Sequence, residues 1–281
     1  MKKILFAALL IVLPLLAAAQ QHMPEIDDYH RFMKSKTMVV MDDALLSDYN
    51  VVIKEVMERS WTITPFEIIT SQEFFEIKDN PELSFLMTTT VSFAKDKTKA
   101  RYKFISLLMG EPKANVRTMP DLCSLPLSYL QVEDESYHYK LEAFVLFIQN
   151  HVKNVMQNEK LIGENALKQY NSHAKGELAN KTLLLTKEDL AKDLQTPQAI
   201  KAIYPYKFEI VSREEVADAI KRQDKDAVFL HKVGPEGTRI RARVYKILVG
   251  AADSKLYYWD YGMIKMASDD AFQASDLKKL K

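Results

Sequence analysis

Lys36-Thr37-Met38-Val39-Val40 and Lys181-Thr182-Leu183-Leu184-Leu185 decide the reading of this chain, because the same order of residues follows each of them. Leu45 and Asp48 match Leu190 and Asp193 at equal spacing. Phe66-Glu67-Ile68-Ile69-Thr70 matches Phe208-Glu209-Ile210-Val211-Ser212. Ala100-Arg101 matches Ala242-Arg243, and Leu108-Met109-Gly110 matches Leu248-Val249-Gly250. One such pair is within the reach of accident; an ordered set points to an internal duplication. The shared positions are mainly apolar, as expected where a core was retained and no common polar site was.

Each copy reads as the same string of elements. Thr37 to Met41 and Thr182 to Leu185 are short, continuous apolar runs of the kind a buried parallel strand leaves. A helix follows. In the first copy the acids Asp42-Asp43 suit its positive end, with Leu45, Tyr49, Val52, Ile53 and Val56 at helical spacing. In the second, Thr186 is an N-cap candidate with Asp189 three residues on, and Pro197 fits a first-turn position. A second strand (Phe66 to Ile69; Phe208 to Val211) leads to capping boxes that start a second helix at Ser71 and at Ser212. Strand–helix–strand–helix–strand requires crossover connections and a parallel sheet centre.

Third strands then run from Leu83 to Thr90 and from Ala227 to Val233. The turn Gly234-Pro235-Glu236-Gly237 folds the second of these back onto Arg239–Val249. A last strand, Leu256 to Ile264, has its counterpart in Leu122 to Val132. The fold class expected is α/β: mixed sheets with flanking helices, in two tandem related units joined by a long helix, each unit with its own apolar interior. The joining helix is read over Tyr137 to Gln169 as a brace packed on the first copy, with Gly163 as a break and His151 on its polar side. The division is residues 1–19 as a signal peptide, 20–135 as the first unit, 136–177 as the connecting helix and 178–281 as the second unit.

The signal reading comes from Met1-Lys2-Lys3, the apolar run Ile4 to Leu16, and Ala17-Ala18-Ala19-Gln20, which supplies small residues at a cleavage point. The run is shorter than the roughly 20 residues a spanning helix needs. No cysteine lies near the cleavage point, which excludes a lipoprotein, and no later stretch could span a membrane. The expected location is therefore the periplasm or an outer-membrane-associated position. With 47% apolar and 27% charged residues the mature chain has material for cores. A net charge of +1 removes any whole-chain argument for nucleic acid. Cys123 is the single cysteine, so no intrachain disulfide exists, and it reads as a small buried hydrophobe in a strand.

Trp61-Thr62-Ile63-Thr64-Pro65-Phe66-Glu67-Ile68-Ile69, with Ser47-Asp48-Tyr49-Asn50 before it and Ser84-Phe85-Leu86 after, resembles a family of exported Bacteroidetes proteins of unknown function. That resemblance implies an envelope location and no activity. The strand–helix plan is more loosely similar to the N-terminal domain of TolB translocation proteins, a likeness of architecture alone.

No nucleotide-binding glycine motif, no HExxH and no GxSxG occurs, and no two of the six histidines stand at a metal-ligand spacing. No catalytic, cofactor or metal residue is assigned. Two features suggest binding. Tyr257-Tyr258-Trp259-Asp260-Tyr261 places aromatics on both faces of a strand by alternation, so Tyr257, Tyr258, Trp259 and Tyr261 divide between core and an open face or edge. Arg239, Arg241 and Arg243 alternate along one face, which is either a solvated sheet surface or a site for an acidic partner, phosphate or glycan acid. The leading expectation is a non-enzymatic binding or assembly module with an envelope protein as partner, acting through sheet faces or edges. The alternatives are a small-ligand or sensor protein with a cleft between the repeats, and a hydrolase with an unfamiliar site.

Overall fold

A computed structural model describes residues 23–44, 47–96, 98–163, 165–174, 176–237 and 241–281. The expected leader, Leu45, and Arg239 lie outside the described residues. A short helix α1 (Ile26–Phe32) precedes strand β1 (Lys36–Val40), which is flanked in parallel by β2 (Phe66–Ile69) and β3 (Leu83–Ser92). Helices α2 (Asp48–Ser60) and α3 (Ser71–Ile77) make the crossovers, and β4 (Arg101–Met109) and β5 (Asp121–Tyr129) extend the sheet antiparallel. After α4 (Leu141–Gln157) and α5 (Asn165–Ala174) the plan repeats. Strand β6 (Thr182–Thr186) lies between β7 (Phe208–Val211) and β8 (Ala227–Val233), with α6 (Pro197–Lys201) and α7 (Arg213–Lys221) as crossovers. Strands β9 (Arg243–Gly250) and β10 (Leu256–Met263) then pair antiparallel, and α8 (Ala274–Lys279) ends the chain.

The two five-stranded sheets have the orders β2-β1-β3-β4-β5 and β10-β9-β8-β6-β7, which are one order read from opposite ends. The α/β class and the paired mixed sheets follow the sequence pattern. One repeat match does not hold in register. Thr37 pairs with Phe66, whereas Leu183, one place further along the matched run, pairs with Phe208. A one-residue slip reverses the faces of a strand. Accordingly Phe66 and Ile68 pack on the core between the sheets, while Phe208 and Ile210 pack on the outer core of the second unit.

Several local expectations need correction. Helix α2 starts at Asp48 under a Ser47 cap, not at Asp42-Asp43. Asp42 instead faces Lys103 at 3.4 Å and Thr88 at 3.3 Å, and its backbone is clasped by the Asn50 amide. Thr70, not Ser71, forms the capping box with Glu73, because its hydroxyl is the one that accepts the Glu73 N–H. Ser212 and Glu215 form theirs as read. The Thr186 hydroxyl donates to Asp189 within a 3₁₀ turn, and the helix begins later, at Pro197 under a Thr196 cap.

The units do not keep separate interiors. The largest core is common to both sheets and holds Val39, Leu86, Ile105 and Leu107 from one with Leu184, Phe229, Ile247 and Val249 from the other. Smaller cores lie outside each sheet, around Phe74 and Phe85 in the first unit and around Tyr204 and Phe272 in the second. Helix α4 runs through the common core, with Phe144 4.7 Å from the His231 ring of β8. It thus packs against both units rather than bracing one alone. The joining stretch is two helices, interrupted by a 3₁₀ turn over Glu159–Leu161 and by Gly163 at φ 77°.

Candidate functional site

The fifth strand of each sheet comes to the seam between the units, and there the packing is incomplete. A half-open cavity of about 270 Å³ is walled by Asp121 to Leu125 of β5 and by Leu256 and Trp259 of β10. Phe147 and His151 of α4, Ala166 and Tyr170 of α5, and Tyr29 of α1 close it from the other sides, with Met23 and Pro24 at its lip. Five elements from both repeats therefore contribute, which is the position and lining expected of a small-molecule site; such sites run from roughly 300 to 1,000 Å³.

Its polar groups sit in an apolar setting, and burial dominates their chemistry. His151, expected on a polar face, is buried and holds the Tyr170 hydroxyl at 2.9 Å on Nδ1. Burial lowers its pKa to about 4, against the smaller opposing pull of the Leu122 carbonyl, so the ring is neutral. The Tyr29 hydroxyl donates to the same Leu122 carbonyl at 2.8 Å. Burial pushes the Cys123 thiol well above its ordinary value, with the Asp121 carboxylate adding to the effect. A thiol so held, with no base in hydrogen-bonding reach among the described residues, is a packing group and not a nucleophile.

Asp121 is the exception among these residues. The β5 ladder skips a residue here, passing from Leu107–Cys123 to Leu108–Asp121, and this irregularity sets the Asp121 carboxyl beside the strand edge. Its Oδ2 accepts the Ser124 hydroxyl at 2.7 Å, and Ser124, Ser106 and Thr89 continue as a hydroxyl chain across β5, β4 and β3. Its Oδ1 is shut off from solvent and has no hydrogen-bond partner among the described residues. Burial raises the carboxyl to about 6, with the Ser124 hydroxyl and Cys123 amide pulling the other way.

The aromatic and arginine residues singled out in the sequence fall elsewhere or in other roles. A register shift between Leu256 and Tyr258 turns both Tyr257 and Tyr258 into the outer core, 3% and 8% exposed, instead of alternating. Trp259 is half-buried at the cavity wall, and its backbone N–H and C=O are bonded to the Asn171 side chain of α5. The β10 edge is thus occupied at that point. Tyr261 remains 50% exposed. Arg241 is exposed and precedes β9, so it shares no strand face with Arg243. Arg243 binds both carboxylate oxygens of Asp96, is stacked 3.6 Å from the Phe93 ring centroid and 4.6 Å from that of Tyr261, and joins the two units.

Sequence reasoning missed Asp121, His151, Tyr170 and Tyr29, which meet from four separate segments. The one local sign was the run Asp121 to Ser124, polar and small residues set into a strand otherwise apolar. Among the described residues no cluster of three or more His, Cys, Asp or Glu side chains is arranged to hold a metal ion, and no helix is long and apolar enough to cross a membrane. No protein-family model, curated protein or solved structure matches this chain.

Proposed function

We propose that this is an exported envelope protein that binds a small, mainly apolar molecule in the cavity between its two repeats. The observation that carries the reading is the cavity's composition: β5 from one sheet, β10 from the other and the two joining helices all line it. A protein whose largest core is shared across its seam has the means to sense occupancy there, because a ligand touches both sheets at once. Thermal-shift screening of the full chain against small amphiphiles should find compounds that raise the melting temperature. Ala166→Leu, which fills the cavity, should abolish their effect while leaving the fold intact. A flat screen, or binders indifferent to Ala166→Leu, would remove the reading.

The exported location rests on the leader pattern of residues 1–19. Fractionation of expressing cells with N-terminal sequencing should find the protein outside the cytoplasm and beginning at Gln20. A cytoplasmic protein that retains Met1-Lys2-Lys3 would refute it. Partner docking through sheet edges is the second reading. It is favoured by the exposed side chains of Tyr261, Met263 and Met266 at the end of β10, and it predicts that a defined envelope protein is recovered with the full chain but lost from Tyr261→Ser.

A further inference from the structure

We infer that the ligand of the seam cavity is a small organic cation, a compact apolar amine, for which Asp121 is the counter-charge. This rests on the ligand-binding reading above and adds the class of ligand. The hydroxyl and imidazole donors around the cavity are spent within the protein: Tyr29 on the Leu122 carbonyl, Tyr170 on His151 Nδ1 and Ser124 on Asp121 Oδ2. The remaining ring nitrogen of His151 faces the Leu122 carbonyl. What is left over is the Asp121 carboxylate, which lines the cavity and whose Oδ1, closed to solvent in the unliganded chain, has no hydrogen-bond partner among the described residues. Among the described residues an acidic ligand would find neither a free hydroxyl donor nor a cation, since no lysine or arginine of theirs lines the cavity.

Charge leads to the same class. The titratable groups facing Asp121 are Cys123 on its own strand, Tyr29 on α1, His151 on α4 and Tyr170 on α5, and β10 contributes Leu256 and Trp259. Burial keeps the thiol, both phenols and the imidazole uncharged at neutral pH. Among the described residues the Asp121 carboxylate is then the one charge on the cavity wall. A carboxylate in a largely apolar enclosure is costly when only the neutral Ser124 hydroxyl and Cys123 amide meet it, and an entering ammonium offsets that cost with a charge-assisted hydrogen bond. The rings of Phe147, Tyr170 and Trp259 add faces that attract a cation. The cavity's size suits a molecule of about ten non-hydrogen atoms, below the usual drug-sized site.

The test compares three probes of one shape, 2-phenylethylamine, 2-phenylethanol and phenylacetate, titrated into the full chain and followed by protein NMR and Trp259 fluorescence. The amine should bind about tenfold more tightly than the alcohol at pH 7.5, and phenylacetate most weakly. Asp121→Asn should erase the advantage of the amine and leave the alcohol unchanged. Should that variant fail to fold, the unaltered protein still decides: affinity for the amine should fall as pH drops through about 6 while that of the alcohol holds. Equal or tighter binding of the alcohol or the acid at the cavity overturns the cation assignment and leaves the ligand-binding reading standing. Cavity-filling Ala166→Leu separates the two failures, since a reading that is wrong altogether shows no probe sensitive to it.

Discussion

Strands β5 and β10 hold the same place in the two sheets, fifth in an order the repeats share, and they are used differently. On β10 the Asn171 side chain pairs with the Trp259 backbone as a neighbouring strand would, through bonds of 2.7 and 2.8 Å. On β5 the corresponding satisfaction is piecemeal. Leu122 is met by the Tyr29 hydroxyl, and Pro126 by His231 Nε2 at 2.9 Å, with the stretch Asp121 to Leu125 left as a cavity wall. One apolar pattern therefore goes with one topology in both sheets, while the edges, whose partners come from outside the sheet, differ. Function in a fold of two like sheets is to be sought where equal positions have unequal surroundings.

The largest expected effect tests whether the copies are energetically one body. Phe144 is buried between the sheets, so Phe144→Ala should cost about 3–5 kcal/mol. The two tryptophans report separately, Trp61 in the first unit and Trp259 in the second. Urea unfolding of Trp61→Phe and Trp259→Phe versions, with and without Phe144→Ala, should show both reporters shifting together in one transition. Two separated midpoints, with one reporter unmoved, would restore independent interiors.

The parallel sheet centre was legible because central parallel strands, covered on both faces, leave continuous apolar runs such as Thr182 to Leu185. The register of β7 was not, because Phe-Glu-Ile repeats in both copies and reads identically whichever face it presents; only pairing decides. The common core was equally invisible, since the stripe on α4 announces burial without saying what covers it. His151 looked like a surface residue by its type alone, because its partner Tyr170 stands on another helix. Asp121 owes its setting to a ladder irregularity and to Ser124 and Cys123, none of which has a spacing signature.

A smaller effect sharpens the contrast at β5 through pH. The folded chain holds His151 near 4 against 6.5 in an open chain, so acidification from 6.5 to 4 costs stability, up to about 3 kcal/mol. His231, buried and likewise lowered, acts in the same direction. Asp121 opposes them. Raised to about 6 from 3.8, it takes up its proton in the folded state first, so its contribution is full below about 4 and lost as pH rises through 6. Asp121→Asn should therefore gain on the unaltered protein by about 2–3 kcal/mol at pH 7.5, and by nothing at pH 4. Denaturant titrations at pH 4.5, 5.5 and 7.5 read this directly. A difference that stays constant with pH would show that the carboxyl is not strained by its burial.

The smallest effect is at β10, where Asn171→Ala removes two hydrogen bonds to one edge residue. Both are made at the surface of the seam, where water can replace them in part, so the expected loss is about 1 kcal/mol. Stability is not the decisive reading here. With the amide gone, the N–H and C=O of Trp259 are unpaired on an edge strand, which is the condition for accepting a strand from another molecule. The Trp259 amide should exchange with solvent much faster in Asn171→Ala than in the unaltered chain, and light scattering should show concentration-dependent association. If that amide stays protected and the variant stays monodisperse, α5 seals β10 by packing alone. The difference between the two fifth strands then lies in how closely a helix covers each, and the pairing of Trp259 by Asn171 has no part in it.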